Sequence, residues 1–282
     1  MNQKKRFFYN AYLENLYAPI MRFLIIIKPL FVLFGIFYSI KNPNDAIVMW
    51  TLSLIVCFFM IVLGTDIGLH RYDAHKSFKT SKAKRIFLLF WSIPCMSGSP
   101  LHWAVVHRKH HAECDSENDP HSPHSIPWWK VWFYLHPAYE FVPLENKKYF
   151  KGLISDKVYQ LTHAYYFLLV SLYLFSLWYF FGFEWLLFGM LIPSAIVDCQ
   201  MAFVNVVCHM YGYENYKTGK QCHSKNNWLV HFLTFFSFGL HNNHHWDPGN
   251  HRTSKKKGEV DLSAWIIEVF FLDKSRKIDS TR

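Results

Sequence analysis

The chain has 282 residues, 51 % of them hydrophobic and 19 % aromatic, which is more apolar than an ordinary soluble domain and makes a membrane protein the first expectation. Its mean hydropathy is only +0.03, so the apolar residues must be gathered into blocks with a sizeable polar part between and after them. Thirty Lys and Arg against 20 Asp and Glu suit an anionic face (lipid headgroups, an acidic carrier or an acidic redox protein) and equally the cationic bias of cytoplasmic loops; a nucleic acid partner is not expected.

The chain opens on the basic string Met-Asn-Gln-Lys-Lys-Arg without a small-residue cleavage site behind its first apolar stretch, so no removable signal peptide is expected. Four apolar blocks follow, at about 21–40, 46–67, 161–183 and 184–207, each near the roughly 20 residues a helix needs to cross a bilayer. They pair as two hairpins, with short connectors at Lys41–Asp45 and at the aromatic turn Phe181–Glu184. Residues 68–160 and 208–282 then lie on one side, and the charge bias makes that side, with both termini, cytoplasmic. Arg22 and Lys28 interrupt the first block, so either its spanning part begins after Lys28 or these cations reach back to the headgroups. The run Ile86–Met96 is too short to span and reads as an amphipathic helix at the interface or under the site. The six cysteines contain no C-x-x-C pair and read as reduced, mostly packing thiols.

The histidines carry the chemistry. There are 17, and eight of them fall in three dense boxes: His70 and His75 as H-x-x-x-x-H, then His107, His110 and His111, and finally His241, His244 and His245, each of the last two as H-x-x-H-H. Positions i, i+3 and i+4 share a helix face, so each triplet is expected to aim its imidazoles at one volume. Five residues along an ideal helix leave His70 and His75 about 140° apart, which sends them to different metals unless the helix ends between them. His209 is a ninth candidate, with Asn205 four residues earlier on the same face and suited to an ordered water or a weak ligand. Eight or nine neutral nitrogens are too many for one ion and reasonable for two. Imidazole alone does not choose among Zn, Cu, Fe and Ni; iron is preferred for oxygen chemistry. His102, His121, His124, His136, His163, His223, His231 and His251 lack ligand spacing and read as structural or supporting, with His121 singled out by its neighbour Asp119.

In their order and local strings, including His-Arg-Tyr-Asp-Ala-His, His-Arg-Lys-His-His, Asn-Asp-Pro-His-Ser-Pro, His-Met-Tyr-Gly-Tyr and His-Asn-Asn-His-His, these boxes resemble the membrane fatty acyl desaturases of the stearoyl-CoA desaturase type, from about Leu63 to Phe271. The resemblance implies a single all-α integral membrane domain over 1–282, with four transmembrane helices and a helical cytoplasmic cap that holds two Fe ions. It implies that His70, His75, His107, His110, His111, His209, His241, His244 and His245 are the iron ligands, and that Asn205 acts through a water. It further implies a substrate tunnel that involves Trp103 and ends near Phe58 and Val62. The activity implied is O₂-dependent insertion of a double bond into a fatty acyl chain; an acetylenase, hydroxylase or epoxygenase on the same fold is the alternative.

Where the acyl-CoA members carry charged residues that meet CoA, this chain has Val105, Val106, Tyr134 and Leu135, which favours an acyl chain carried by acyl carrier protein or lipid over acyl-CoA. Before the last box it reads Phe-Phe-Ser-Phe-Gly-Leu in place of the family's Gly-Glu-Gly. No cytochrome b5 segment is seen in the sequence, as in bacterial-type members. Electrons are therefore expected from a separate donor of ferredoxin or cytochrome b5 type with its reductase.

Overall fold

The computed structural model describes residues 11–139 and 146–273; both expected cytoplasmic termini, 1–10 and 274–282, lie outside the described residues. Helix α1 is Ala11–Lys41 and α2 is Pro43–Phe59, separated by Asn42 alone, with Pro43 in the first turn of α2, where its missing N–H costs nothing. α2 runs without a break into a π-helical stretch, Met60–Ala74. The cap then supplies α3 (Lys82–Ser92), α4 (Pro100–Glu113), α5 (Trp128–Trp132) and the short α6 (Lys147–Phe150). α7 (Lys157–Ala164) and α8 (Tyr166–Phe181) meet at a 67° bend. After Gly182, α9 (Phe183–Leu186) continues through a π-helical turn into α10 (Ile192–Met210). Last come α11 (Trp228–Leu233), α12 (His241–Trp246) and α13 (Leu262–Ile266).

Among the described residues three helices are long and apolar enough to cross a bilayer, Leu16–Lys41, Pro43–Ala74 and Phe183–Met210, and the bent α7–α8 pair makes a fourth path. The all-α membrane architecture expected from the apolar blocks is thus present. The 32-residue span Pro43–Ala74 exceeds the roughly 20 residues a bilayer requires, so its last turns project beyond the hydrocarbon and carry His70 into the cap. Phe23, Leu30, Leu33 and Phe37 of α1 and Leu168, Leu172 and Phe175 of α8 are exposed, as side chains facing lipid are.

Local sequence explains how the cap helices start. Ser99 accepts the His102 N–H at 3.3 Å to open α4, Asp156 accepts that of Val158 at 2.8 Å for α7, and Asn227 accepts that of Val230 at 3.1 Å for α11. α3 packs directly on the π-helical stretch because Gly64 leaves room: a Cβ there would collide with the Trp91 carbonyl oxygen. In its place Ser92 Oγ donates to the Gly64 carbonyl at 2.8 Å.

Two expectations need correction. Lys28 neither begins the span nor reaches for headgroups. It is 1 % exposed, and its ammonium donates to Asp198 at 2.6 Å and to the Cys95 and Met96 carbonyls at 2.9 and 3.1 Å, using all three protons. Ser97 donates to the other Asp198 oxygen at 3.0 Å. Burial is tolerable because both charges find complete partners. Nor are all six cysteines reduced: Cys114 and Cys222, 108 residues apart, form a disulfide, a pairing no local spacing announces. Cys57, Cys95, Cys199 and Cys208 are free thiols.

Candidate metal centre

The nine candidate histidines converge where the membrane helices enter the cap. His70 lies near the end of the long second span and His75 just past it, His107, His110 and His111 lie on α4, His209 on the last turn of α10, and His241, His244 and His245 on α12. Their donor nitrogens form two groups, His70, His75, His107, His111 and His244 in one and His110, His209, His241 and His245 in the other, each with its atoms within 4.8 Å of one another. Neither triplet therefore aims at one volume, as helical spacing suggested. The i, i+4 pairs His107/His111 and His241/His245 each serve one group, while His110 and His244 at i+3 swing across to the other.

His70 and His75 do share a group, against the expectation of separate metals. The backbone between them is π-helical, with His75 N–H donating to the His70 carbonyl at 3.1 Å, and i→i+5 bonding brings residues five apart back towards one face. The regular helix also stops at Ala74, so His75 sits at its end, as the other branch of that expectation held.

Within the first group Nε2 atoms approach at 2.9 Å (His70 to His244), 2.8 Å (His75 to His107), 3.1 Å (His107 to His111) and 2.9 Å (His111 to His244). In the second the separations are 3.0 Å (His209 to His241), 3.1 Å (His241 to His245) and 3.3 Å (His110 to His245). An imidazole nitrogen sits about 2.0–2.1 Å from a first-row metal ion, so two donors at right angles stand about 2.8–3.0 Å apart. The observed contacts are the edges of such coordination shells.

Tautomers point the same way. Asp66 accepts from His70 Nδ1 at 2.8 Å, Asp119 from His110 Nδ1 at 2.9 Å and Asp115 from His209 Nδ1 at 3.0 Å. A carboxylate only accepts, so each Nδ1 carries the proton and each Nε2 presents a lone pair to its group. Burial first, and then the neighbouring imidazoles, hold His75, His107, His111, His241, His244 and His245 well below the ordinary histidine range, which keeps them neutral. Burial opposes the charge on Asp119, but His110, His121 and the Asp115 N–H together keep its carboxyl low, and the Asp119 and Asp115 carboxylates, against burial, push His110 up. Five nitrogens in one group and four in the other, three of them fixed as lone-pair donors, are more than pairwise N–H···N hydrogen bonds can satisfy, so the donor set fits metal ions.

Beyond the two histidine groups, Asp66 also binds Arg71, which reaches Asp261 at 3.0 Å and the His251 carbonyl. Asn226 Oδ1 accepts the N–H groups of Asn242 and Asn243 at 3.0 and 3.2 Å, and Asn243 Nδ2 donates to Glu259 at 2.9 Å, which fixes the six-residue α12. Spacing along the chain does not announce these supports. Only Asp66, four residues before His70, and Asp119, beside His121, stand where it could have revealed them. The place of the family's Gly-Glu-Gly is filled by Phe238, whose ring lies 5.2 Å from that of His70, and by Gly239, which packs against the His231 backbone.

A cavity of about 70 Å³ borders both groups, with Trp103, Val106, Met201, Val204, Asn205 and Phe238 among its walls. Trp103 stacks on His107 with ring centres 4.8 Å apart. His121 packs at a tilt against His110, ring centres 4.3 Å apart, and lines the cavity too. Phe58 and Val62 are elsewhere: Phe58 packs edge-on against Phe59 and Phe235, and Val62 is fully buried in the core, neither in the cavity wall. Tyr134 and Asp198 belong both to this cavity and to a larger apolar groove of about 620 Å³ between α1 and α10, bounded by Ile25, Leu33, Trp132 and Ile196.

Helices that can cross a bilayer and a buried double cluster of imidazoles able to hold metal define the class as an integral membrane protein. The chain belongs to the fatty acid desaturase family, whose model, described as "Fatty acid desaturase", matches residues 45–254. It is 32 % identical over 211 residues to the sn-1 stearoyl-lipid 9-desaturase of Anabaena variabilis, covering 73 % of this chain and 75 % of the relative. It is 27 % identical over 245 residues to the sn-2 palmitoyl-lipid 9-desaturase of Nostoc sp., covering 84 % and 85 %. To an acyl-CoA 5-desaturase of Anemone leveillei it is 30 % identical over 220 residues, covering 77 % and 67 %. The protein is therefore a fatty acid desaturase, an oxidoreductase of a family that uses iron.

Proposed function

We propose that this enzyme uses two iron ions and O₂ to insert a double bond into a fatty acyl chain esterified to a membrane lipid, with its cap and both termini cytoplasmic. The observation that carries the lipid carrier is the groove between α1 and α10, which lies in the spanning region and shares Tyr134 and Asp198 with the cavity at the histidines. Such a groove lets an acyl chain approach from the bilayer. The uncharged Val105, Val106 and Leu135 offer no grip on CoA.

His70, His75, His107, His111 and His244 would hold one iron and His110, His209, His241 and His245 the other, with Asn205, in the cavity wall, acting through a water. Iron bound there supplies the activation of O₂ needed to break an unreactive C–H bond. Trp103, Met201, Val204 and Phe238 exclude bulk water and hold the acyl methylenes beside the histidines. One O₂, two electrons and two protons give two waters as the saturated chain loses two hydrogens. The electrons come from a separate ferredoxin or cytochrome b5 type donor.

Purified protein with a reductase system and stearoyl groups on phospholipid, acyl carrier protein or CoA tests the carrier. A product two mass units lighter is expected from the lipid, with acyl carrier protein behind it; product from CoA alone overturns the assignment. Asp119→Asn leaves an amide that can offer its own N–H to His110 Nδ1, which upsets the tautomer. A 10- to 100-fold loss of metal affinity is expected, read by titration of the apoprotein with Fe(II).

A further inference from the structure

The other supported ligands of the second group rest on carboxylates, but His245 does not. Its Nδ1 lies 3.4 Å from Cys222 Sγ and 3.6 Å from Cys114 Sγ, the two sulfurs of the disulfide. We propose that Cys114–Cys222 is a thiol–disulfide exchange site, taking a dithiol reductant, whose oxidation state controls how firmly the second histidine group retains its metal. The proposal rests on the assignment of His245 as a ligand.

The bond ties the segment that follows α4 to the 211–227 loop in front of α11. Both residues are neighbours of further support. Asp115, next to Cys114, accepts from His209 Nδ1 at 3.0 Å, from Ser122 Oγ at 2.6 Å and from the N–H of His223, next to Cys222, at 2.8 Å. The cross-link therefore closes a frame around His209 and His245 with its sulfurs against one imidazole. Both cysteines are only partly buried, within reach of a reductant, whereas the free Cys57, Cys95 and Cys208 are buried. A disulfide in a cap that faces a reducing compartment is expected to be labile and responsive, not a permanent staple.

Exchange balances without further reagents. A thiolate of the dithiol attacks one sulfur, the S–S bond breaks as a mixed disulfide forms, and the second thiol of the reductant displaces it. Two electrons pass to the cysteine pair, two protons end on Cys114 and Cys222, and the reductant leaves as its own disulfide. The frame then opens, and His245 Nδ1 faces two thiols in place of the disulfide, which alters the orientation and basicity of its Nε2.

The test equilibrates iron-loaded full-length protein in detergent across ratios of reduced to oxidised dithiothreitol. Each sample is split for peptide-resolved alkylation of cysteines and for iron retained after dialysis against a weak chelator. Cys114 and Cys222 should become alkylated together as the ratio rises, while retained iron falls by about half and returns on reoxidation. The double variant C114S/C222S should hold the lower iron level at every ratio. The proposal fails if the pair is alkylated throughout, if iron is the same in both states, or if the double variant retains iron like the oxidised protein. Iron that never binds at any ratio overturns the ligand assignment instead, and alkylation distinguishes the two failures.

Discussion

Alanine in place of His244 or of His110 is expected to lower turnover more than a hundredfold and to reduce bound iron, while His163→Ala leaves iron content unchanged. The two positions probe different groups, since His244 is one of five donors in the first and His110 one of four in the second. Loss of a supporting hydrogen bond to a ligand typically costs 10- to 100-fold, and loss of the ligand itself costs more. His110→Ala also strands the buried Asp119 carboxylate, which is left without its imidazole partner. His163 serves as the control because its Nδ1 pairs with Ser99 Oγ at 2.6 Å, outside both groups. Iron analysis of purified variants together with product formation checks the expectation; normal iron and turnover in the first two would remove them from the site.

The second large effect is on stability. Lys28→Met leaves Asp198 charged and unmatched among apolar helices, and a loss of about 3–5 kcal/mol is expected. Replacing both partners, as Lys28→Met with Asp198→Leu, removes the stranded charge and should recover most of that loss, because the attraction within a buried pair does little more than offset the desolvation of its members. Thermal unfolding in detergent compares wild type, single and double variants. A single variant as stable as wild type would mean that the 2.6 Å pair contributes nothing to the packing of α1 against α10. Activity is read separately, since Asp198 also lines the cavity beside the histidines.

The spanning helices were legible because a bilayer sets both a length and a composition, and apolar blocks meet both. The histidine boxes were legible as a set because imidazoles crowded that closely would compete for the same hydrogen-bond partners unless metal took up their lone pairs. Their division into groups was not. Spacing tells which side chains share a face, but each triplet sits between two centres, and whether a ring turns left or right depends on the opposing helix. The convergence of His70 and His75 needed the π-helical backbone of Met60–Ala74, which no residue in that stretch announces. Long-range partners were equally hidden: Lys28 meets Asp198 across 170 residues, and Cys114 meets Cys222 across 108. The Asn226, Asn242 and Asn243 side chains look like ordinary loop polarity until the fold gives their amides partners.

The crossing of each triplet between the two groups ties the centres into one mechanical unit. α4 and α12 each lend two rings to one side and one ring to the other, so a shift or tilt of either rod displaces both pockets at once. The gap between the pockets is thereby set by the rise of a single helical turn and not by the length of any loop. Insertions in the connecting segments can drift through evolution without pulling the pair apart, whereas inserting or deleting one residue inside either rod would spoil both together.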